Sequence, residues 1–388
     1  MKVLYIVNSV VPGGATISFF NMLKELVKYG VEPIIAIPEH KEDAAEIYFR
    51  DLASQCNATV YKIPIALHMF KTLRNLSGIL EFFGQCKRKL LLRYNEQKSI
   101  KFIMGIAKKE KPVLIHSNSG VIRCGWLASK KLKIVHVWHL REYQDLDFKR
   151  EILPSHAAFE NLLNQSYVIT ITKDIFHYFH QERNPKAQIV YNGIFSINEK
   201  TENVHKEPYF LVCSRISPEK GHHNIIKAFG VFCKKNPNFR LKIAGEYSPE
   251  DRYVKSLNYI AESMGCSAFI DYVGFKKDVK ALMSNARCLV VASPNEGFGR
   301  MTAEACFLET LVIGYNSSGT KEILDNTGGI LYDGTIDDLV AKMEYVAEMK
   351  QDEYTLITKN AKMKARECYS IEANGRAIYD IYENSLKN

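Results

Sequence analysis

KVLYIVNSVVPGG, residues 2–14, sets the expected fold class of this chain. Its first part, Lys2–Val7, is mostly apolar, which is typical of a parallel strand that is buried on both faces. A glycine-containing loop follows, then helical periodicity over about residues 15–29 and a second apolar run at Pro33–Ile37. A strand, a glycine loop, a helix and a second strand in this order predict an α/β fold built on a parallel sheet.

The alternation of strands and helices continues on both sides of one polar stretch. Residues 196–207 lack periodicity, which predicts a linker. We therefore expect two Rossmann-like doubly wound domains, 1–195 and 208–370, facing across a cleft, with ligands at the carboxyl ends of the strands. A last amphipathic helix, at about 371–388, is expected to pack back on the first domain. Further strands are predicted at Val113–His116, Ile134–Trp138, Val168–Thr172, Tyr209–Ser214, Arg240–Ala244, Ile270–Val273, Leu289–Ala292 and Leu311–Tyr315.

The composition excludes disordered and fibrous proteins. Of the 388 residues, 46% are hydrophobic and 24% are charged, as in ordinary soluble globular proteins. Nine cysteines are scattered singly with no CxxC pair, which predicts reduced thiols in a cytoplasmic protein. No apolar run reaches the roughly 18 residues of a membrane span, and the N-terminus lacks the pattern of a signal peptide.

One segment carries nearly all of the net charge. The chain has 52 Lys and Arg against 43 Asp and Glu, a formal charge of +9. The basic segment, Lys71–Lys111, holds eleven of these cations and three of these acids, which gives it a charge of +8. Cations mixed with large apolar side chains such as Phe82 and Leu90 are typical of helices that lie on anionic membrane surfaces. A solvated helix packed on the first domain is the alternative, and no recognition motif points to nucleic acid.

The segment SPNEGFGRMTAE, residues 293–304, carries the strongest candidate site. It follows a predicted strand and leads into a predicted helix, whose first N–H groups attract anions and hydroxyl oxygens. Gly297 and Gly299 let a ligand approach the main chain closely. The carboxylates of Glu296 and Glu304 can accept hydrogen bonds from neighbouring hydroxyls of a ribose or a sugar ring. A helix cap and a solvated surface charge are the alternatives for these two residues.

A second candidate, CSRISPEKG at 213–221, ends the first strand of the second domain. Arg215 and Lys220 straddle a turn and can close on a diphosphate, the arginine as a planar fork and the lysine as a point charge. Their charge would also stabilise a departing nucleoside diphosphate, a role that a metal ion often fills, so we expect no metal site. Two surface cations in a turn are the alternative.

Together these segments resemble the retaining glycosyltransferases of family 4, the glycogen-synthase-like glycosyl transferases group 1. Their GT-B fold consists of two Rossmann-like domains. Segment 293–304 looks like the family's E-x7-E motif, and segment 213–221 looks like its G-R-x-x-x-x-K-G segment. The resemblance implies that Glu304 holds the ribose of a nucleotide sugar and that Glu296 contacts hydroxyls of the transferred sugar. It also implies that neighbouring main-chain amides help to hold the sugar and phosphates, namely those around Gly297, Phe298 and Gly299.

The first domain offers less specific candidates. Gly13 and Gly14 lack the GxGxxG spacing, and the resemblance places their loop near the donor phosphate or the acceptor, with a plain turn as the alternative. His139 ends a strand where the family often has an active-site histidine, which could hydrogen-bond a sugar hydroxyl or the β-phosphate. A satisfied, half-buried histidine is the alternative. His116 ends another strand and is a candidate for acceptor binding, whereas His136 lies inside its strand and is expected to be structural.

The resemblance therefore implies a retaining, metal-independent glycosyltransferase without a cofactor. It would transfer a sugar from a nucleoside-diphosphate sugar, a UDP-sugar first of all, to a glycan or lipid-linked acceptor in the synthesis of surface polysaccharide or glycoconjugates. A sugar-nucleotide epimerase of the same fold and a non-catalytic membrane-surface binding protein are the alternatives. We expect a cytoplasmic protein, peripheral at the inner face of the membrane, with no nucleic acid partner. The expected catalytic residues are Glu296, His139, Arg215 and Lys220.

Overall fold

The computed structural model of the chain describes residues 1–39, 43–70, 79–148, 150–200, 205–276 and 278–387. The chain forms two compact units: unit 1 consists of Met1–Gly193 with Ile371–Asn388, and unit 2 of Ile194–Ser370. Within the predicted linker, residues 201–204 lie outside the described residues. Over the described ranges, no helix is both long and apolar enough to cross a membrane.

Unit 1 is built on a parallel sheet with the strand order β3-β2-β1-β5-β6-β8-β9 in its described part. A short antiparallel pair, β4 with β7, lies outside this sheet. The elements up to the end of the sheet are β1 Lys2–Ile6, α1 Gly14–Lys28, β2 Glu32–Pro38, α2 Ala44–Ser54, β3 Thr59–Ile63, β4 Met69–Phe70, α3 Ile79–Glu110, β5 Leu114–Ser117, α4 Arg123–Leu132, β6 Val135–Leu140, α5 Asp145–Phe148, β7 Glu151–Ile152, α6 His156–Leu163, β8 Tyr167–Thr170, α7 Lys173–Tyr178 and β9 Ala187–Ile189.

Unit 2 repeats this architecture with the parallel order β12-β11-β10-β13-β14-β15 in its described part. Counted within the unit, this is the 3-2-1-4-5-6 order of doubly wound nucleotide-binding folds. Its elements are β10 Glu207–Cys213, α8 His222–Phe232, β11 Arg240–Ala244, α9 Arg252–Met264, β12 Ile270–Gly274, α10 Lys280–Asn285, β13 Ala286–Val291, α11 Arg300–Phe307, β14 Leu311–Tyr315, α12 Ser318–Thr327, β15 Ile330–Tyr332, α13 Ile336–Glu348 and α14 Gln351–Tyr369.

The central strands are apolar along their whole length because helices cover both faces of each sheet. Along β1, Tyr5 packs with α1 on one face of the sheet, whereas Leu4 and Ile6 pack with α3 and α4 on the other. In unit 2, Phe210 of β10 and its neighbour Leu211 likewise belong to cores on opposite faces. Parallel sheets require this two-sided cover, and the predicted α/β fold with two Rossmann-like doubly wound domains is confirmed.

The last helix, α15 (Ile371–Lys387), returns to unit 1 and packs against α1. Its residues Ile378, Ile381 and Tyr382 join the core beside β1 and are almost completely buried. Full burial of one such side chain contributes about 1.5–3 kcal/mol, so these contacts hold the helix in place. Gly375 is the point of closest approach, because a Cβ atom there would lie 2.4 Å from Cγ of Glu25.

Candidate active site

The candidate site of unit 2 lies at the carboxyl edge of its sheet. Residues 214–221 follow β10, residues 292–299 follow β13, and residues 316–317 follow β14. Strands β10 and β13 are neighbours at the centre of the sheet, where the strand order reverses. In open α/β sheets this is the crevice in which ligands bind.

A close main-chain approach joins the first two of these loops. Gly221 has φ of +74° in the left-handed region, and a Cβ atom there would lie 2.5 Å from the carbonyl oxygen of Ala292. Any other residue would therefore be strained and would collide with the neighbouring loop. The Ser293 hydroxyl adds a hydrogen bond of 3.3 Å to the carbonyl oxygen of Glu219.

This approach brings together two predicted site residues that are 76 positions apart in the sequence. Nζ of Lys220 donates to Oε1 of Glu296 at 2.6 Å, and each side chain is about one-fifth exposed. The pair is therefore partly desolvated yet open on one side. Arg215 stands beside it with 80% of its side chain exposed, and only a 3.8 Å contact joins its Nη2 to Oε1 of Glu219.

The second predicted carboxylate, Glu304, lies in the second turn of α11 and is almost completely buried. Nε of Arg300, one helical turn earlier, donates to its Oε1 at 2.6 Å. Burial raises the pKa of Glu304, and the Arg300 guanidinium opposes this rise. A cation at a helix start is unfavourable toward the helix dipole, and this carboxylate is the partner that offsets it.

Glycines shape the loop that precedes α11. Gly299 has φ of +87°, which only glycine adopts without strain, and it caps the helix. Gly319, at the start of α12, donates its N–H to the Glu296 carbonyl at 2.9 Å, and a Cβ atom there would lie 2.4 Å from the Phe298 carbonyl oxygen. The Phe298 ring packs edge-on against Tyr369 and is almost completely buried, so its main chain is the part that could contact a ligand.

In unit 1, the loop after β1 leaves its main chain open. Residues 11–15 are exposed, and α1 begins at Gly14 with no side-chain hydrogen bond capping its first turn. Gly13 is extended, and a Cβ atom on it would touch nothing within 4 Å. Open N–H groups at a helix start can hydrogen-bond an oxygen-rich ligand.

A chain of buried hydrogen bonds ends at His139. The Tyr382 hydroxyl lies 2.6 Å from Nδ1 of His116, and Nε2 of His116 lies 3.2 Å from Nδ1 of His139. Nη2 of Arg141 lies 3.4 Å from the same Nδ1 atom. Both ring nitrogens of His116 are thus engaged with protein groups, which leaves neither for an acceptor.

These contacts define the proton positions in the chain. Burial, with the charge of Arg141 nearby, lowers the pKa of both histidines well below the ordinary value, so both rings are neutral. Arginine can only donate, so Nδ1 of His139 accepts and its proton lies on Nε2. His116 then donates from Nε2 to His139 and accepts at Nδ1 from Tyr382, whose hydroxyl lies 2.6 Å from this nitrogen and 3.4 Å from the Tyr5 hydroxyl, so that the shorter contact takes its proton. Within the described part of the chain, Nε2 of His139 is buried without a hydrogen-bond partner.

Arg141 is the centre of a polar cluster at the carboxyl ends of β5 and β6. Its Nε donates to Asn118 Oδ1 at 2.9 Å and its Nη1 to Asn192 Oδ1 at 2.7 Å. Burial lowers its pKa to about 10, so it stays charged at neutral pH. Burial also raises the pKa of the neighbouring Glu142 to about 7, although the hydrogen bond that Glu142 accepts from the Ser119 hydroxyl acts to lower this pKa.

Within the described ranges, neither a reactive cysteine nor a cluster of metal-binding side chains is evident. None of the nine cysteines, all within the described ranges, forms a disulfide bond, and burial raises the pKa of Cys213, the one nearest the candidate site in sequence, to about 12. Such a thiol is not a nucleophile at neutral pH. Among the described residues, His, Cys, Asp and Glu side chains form no group of three that could hold a metal ion.

Comparison with known proteins places this geometry in a family. Residues 194–364 match the family described as Glycosyl transferases group 1 and belong to it. The chain is therefore a glycosyltransferase.

Individual glycosyltransferases and a solved structure agree with this family. CapM of Staphylococcus aureus, a capsular polysaccharide biosynthesis glycosyltransferase, is 23% identical over 343 residues, which cover 82% of this chain and 88% of CapM. EpsD of Bacillus subtilis is 30% identical over 119 residues, which cover 30% of each chain. HepE of Anabaena, solved in complex with UDP and glucose, superposes with a TM-score of 0.75 at 21% identity, covering 99% of this chain and 100% of HepE. The predicted GT-B fold is confirmed.

The fold of the glycosyltransferase places some of the predicted site residues in contact with one another. Lys220 and Glu296 form one ion pair, and the predicted amides around residues 297–299 lie in the same loop. In unit 1, His116 contacts His139, which adds a positioning contact that the sequence did not indicate. Their roles toward a ligand stay predictions.

Three residues that shape these sites were missed from the sequence. They are Tyr382, Arg141 and Gly319, for which the sequence alone indicates no role in a site. The position of Arg141 directly after the strand that contains His139 was the one available signal for a site residue.

Proposed function

We propose that this glycosyltransferase moves a sugar from a nucleoside-diphosphate sugar, with a UDP-sugar as the expected donor, to a glycan or lipid-linked acceptor. The transfer would retain the anomeric configuration and need no metal ion. The observation that carries the proposal is the Lys220–Glu296 ion pair at the switch point of the unit 2 sheet. The complex of HepE with UDP and glucose, in a structure of the same fold, supports a UDP-sugar as donor.

The two cations of the loop after β10 would bind the diphosphate. Lys220 exchanges its carboxylate partner for a phosphate oxygen, and the exposed Arg215 closes over the other phosphate. Their charge then stabilises the nucleoside diphosphate as it leaves, which is the function of a metal ion in other transferases. Because both groups are already near the site, little reorganisation accompanies the reaction.

The carboxylates and amides of the neighbouring loop would hold the sugar and ribose. Glu296, released by Lys220, accepts hydrogen bonds from hydroxyls of the transferred sugar. Glu304 accepts hydrogen bonds from the ribose hydroxyls while Arg300 holds its other side. The amides of Gly297 and Gly299, at the start of α11, donate to phosphate or sugar oxygens.

In unit 1, His139 would donate a hydrogen bond from Nε2 to the transferred sugar or to the β-phosphate. A neutral ring with a fixed Nε2 proton suits this role because it donates without adding charge. The exposed main chain at Gly14 would contact the donor phosphate or the acceptor. Unit 1 would also bind the acceptor.

The acceptor side fits a membrane-associated synthesis of surface polysaccharide. The part of α3 before residue 95 exposes large apolar side chains among its cations, a mixture that suits an anionic membrane surface. CapM acts in capsular polysaccharide biosynthesis, which supports a related role here. We therefore propose a cytoplasmic protein that docks peripherally at the inner face of the membrane, without a nucleic acid partner. Lys71 and Arg74 of the basic segment lie outside the described residues.

Transfer from UDP-sugars to glycan or lipid-linked acceptors, measured with EDTA present and with NMR of the product anomer, tests this proposal. Arg215→Ala and Lys220→Ala should each lower turnover by roughly 10²–10³. Lys255→Ala, an exposed cation on α9, is the matched control and should keep full turnover. Unchanged turnover in both site variants, or an inverted product, would contradict the proposal. Conversion of the donor without any acceptor would indicate an epimerase instead.

A further inference from the structure

A cavity of about 230 Å³ in unit 1 lies apart from every residue assigned above to the donor. It lies beside the segment that follows β3, the second quarter of α3 and the start of α4. Its walls combine charged and apolar groups, which are Ala66, Leu67, His68, Lys89, Leu92, Arg93, Glu96, Arg123, Leu153 and Pro154.

The charge in the cavity is positive. Lys89, Arg93 and Arg123 face one carboxylate, Glu96, which leaves a net charge of +2. Glu96 is committed to Arg123, because its two oxygens accept from Nε and Nη2 of that arginine, each at 2.9 Å. The other two cations that line the cavity, Lys89 and Arg93, are exposed residues of α3. An anion is the ligand that this wall attracts.

One lining residue, His68, provides a buried hydrogen-bond acceptor. His68 is 3% exposed, and its Nδ1 lies 2.9 Å from the carbonyl oxygen of Val121, so Nδ1 must carry a proton. Burial and the nearby charge of Arg123 lower the pKa of His68 to about 3, which keeps the ring neutral. Nε2 is then a lone pair, and among the described residues it has no hydrogen-bond partner.

The protein holds this lone pair rigidly. The main chain of His68 donates to Val121 at 3.1 Å and accepts from the N–H of Leu153 at 2.9 Å, and its ring packs against Phe159. An acceptor nitrogen repels a bare anion and binds a hydroxyl proton. The cavity therefore offers cations for an anionic group and a separate acceptor for a hydroxyl.

We propose that this cavity binds a hydroxylated phosphate ester, with the phosphate on Arg93 and Lys89 and a hydroxyl donating to Nε2 of His68. Such a group occurs in soluble sugar or polyol phosphates and in the headgroups of lipids such as phosphatidylglycerol. If the proposed function holds, the consequence is that the acceptor substrate carries a hydroxylated phosphate ester; this part of the inference rests on the proposed function. Binding to the cavity itself needs no nucleotide.

Calorimetry of the full chain without nucleotide tests the proposal with glycerol 3-phosphate as the soluble probe. Sulfate offers an anion without a hydroxyl, and glycerol offers hydroxyls without an anion, so both should bind at least about tenfold more weakly. Sedimentation with phosphatidylcholine vesicles, with and without phosphatidylglycerol, provides the lipid arm. Binding of the soluble ester identifies a soluble source, and binding of phosphatidylglycerol vesicles alone identifies a lipid headgroup.

Two variants separate the cavity from general charge effects. Arg93→Gln removes an exposed cation of the cavity and should weaken binding about tenfold. His68→Asn keeps a donor toward Val121 but removes the Nε2 acceptor, and should weaken binding about fivefold without changing sulfate binding. Lys87→Gln, an exposed α3 residue outside the cavity, is the control and should bind within twofold of the unaltered protein.

The proposal is overturned if neither probe binds, if sulfate binds as tightly as glycerol 3-phosphate, or if Arg93→Gln matches the Lys87→Gln control. Each of these results with intact UDP binding leaves the proposed transferase function standing. Loss of UDP binding with intact phosphate-ester binding contradicts the donor site alone.

Discussion

Replacing Tyr382 by Phe should change the chemistry at His139, two hydrogen bonds away. The Tyr382 hydroxyl is 2.6 Å from Nδ1 of His116, and all three side chains are buried. The substitution removes one oxygen and keeps the ring in the core. His116 loses its donor, so its buried Nδ1 is left without this partner and the hydrogen bond from its Nε2 no longer holds the His139 ring in place. Arg141 still donates to Nδ1 of His139, so the proton of His139 stays on Nε2 while the position of the ring changes.

The expected magnitudes follow from these contacts. An unsatisfied buried polar group costs about 1–3 kcal/mol, which lowers Tm by roughly 2–10 °C for a unit of this size. Loss of one hydrogen bond to a charged group, about 1.5–3 kcal/mol, should lower kcat about 10- to 100-fold. The KM for the donor should change little, because most of the proposed donor contacts lie in unit 2.

The assay combines kinetics with NMR of ¹⁵N-labelled histidine, which reports the nitrogen signals of His116. Tyr379→Phe provides the control, since this hydroxyl of the same helix donates to Oε1 of Glu383 at 3.1 Å. The control should keep the His116 nitrogen signals and kcat of the unaltered protein. A Tyr382→Phe protein with unchanged His116 nitrogen signals and a kcat within twofold of the unaltered protein would contradict this role of Tyr382.

Three further changes test unit 2. Lys220→Met removes the cation that lies 2.6 Å from Glu296. A double-mutant cycle with Glu296→Gln should give a coupling of about 1 kcal/mol in the free energy of unfolding, well above zero. Gly319→Ala places a methyl group 2.4 Å from a main-chain oxygen of the loop before α11, so unfolding measurements should show a loss of about 1–3 kcal/mol together with weaker UDP binding. Affinity for UDP-glucose should fall as the pH is lowered, because only the ionised form of Glu304 is purely an acceptor. Burial raises the pKa of Glu304, so the fall should begin at a higher pH than for an ordinary glutamate. Calorimetry across pH should show no such fall in Glu304→Ala.

Most of the fold could be predicted from the sequence because buried parallel strands are uninterrupted apolar runs. The strand predicted at Arg240–Ala244 has those bounds in the structure, and the one predicted at Leu311–Tyr315 does too. Helix α14, Gln351–Tyr369, was not predicted. Its buried face consists of Tyr, Thr and Ala side chains rather than large aliphatic ones, so its apolar periodicity is faint.

The candidate site was predictable as residue types at strand ends but not as pairs. Lys220 meets Glu296 because two loops approach each other at Gly221, a distance that depends on tertiary packing. The contact of Tyr382 with His116 joins residues 266 positions apart, and helical periodicity indicates burial of the tyrosine ring without indicating a partner for its hydroxyl. Local sequence fixes which side chains can bond, and long-range packing decides which of them do.

Unit 2 is expected to bind a nucleoside diphosphate through the loops after β10 and β13. Calorimetry of UDP with the unaltered protein and with Glu304→Ala measures this binding. We expect stoichiometric binding that weakens about 10- to 100-fold in Glu304→Ala, because hydrogen bonds to a charged group contribute about 1.5–3 kcal/mol. Glu262→Ala, an exposed carboxylate on α9, should bind UDP like the unaltered protein. Equal UDP affinity in all three proteins would contradict the claim.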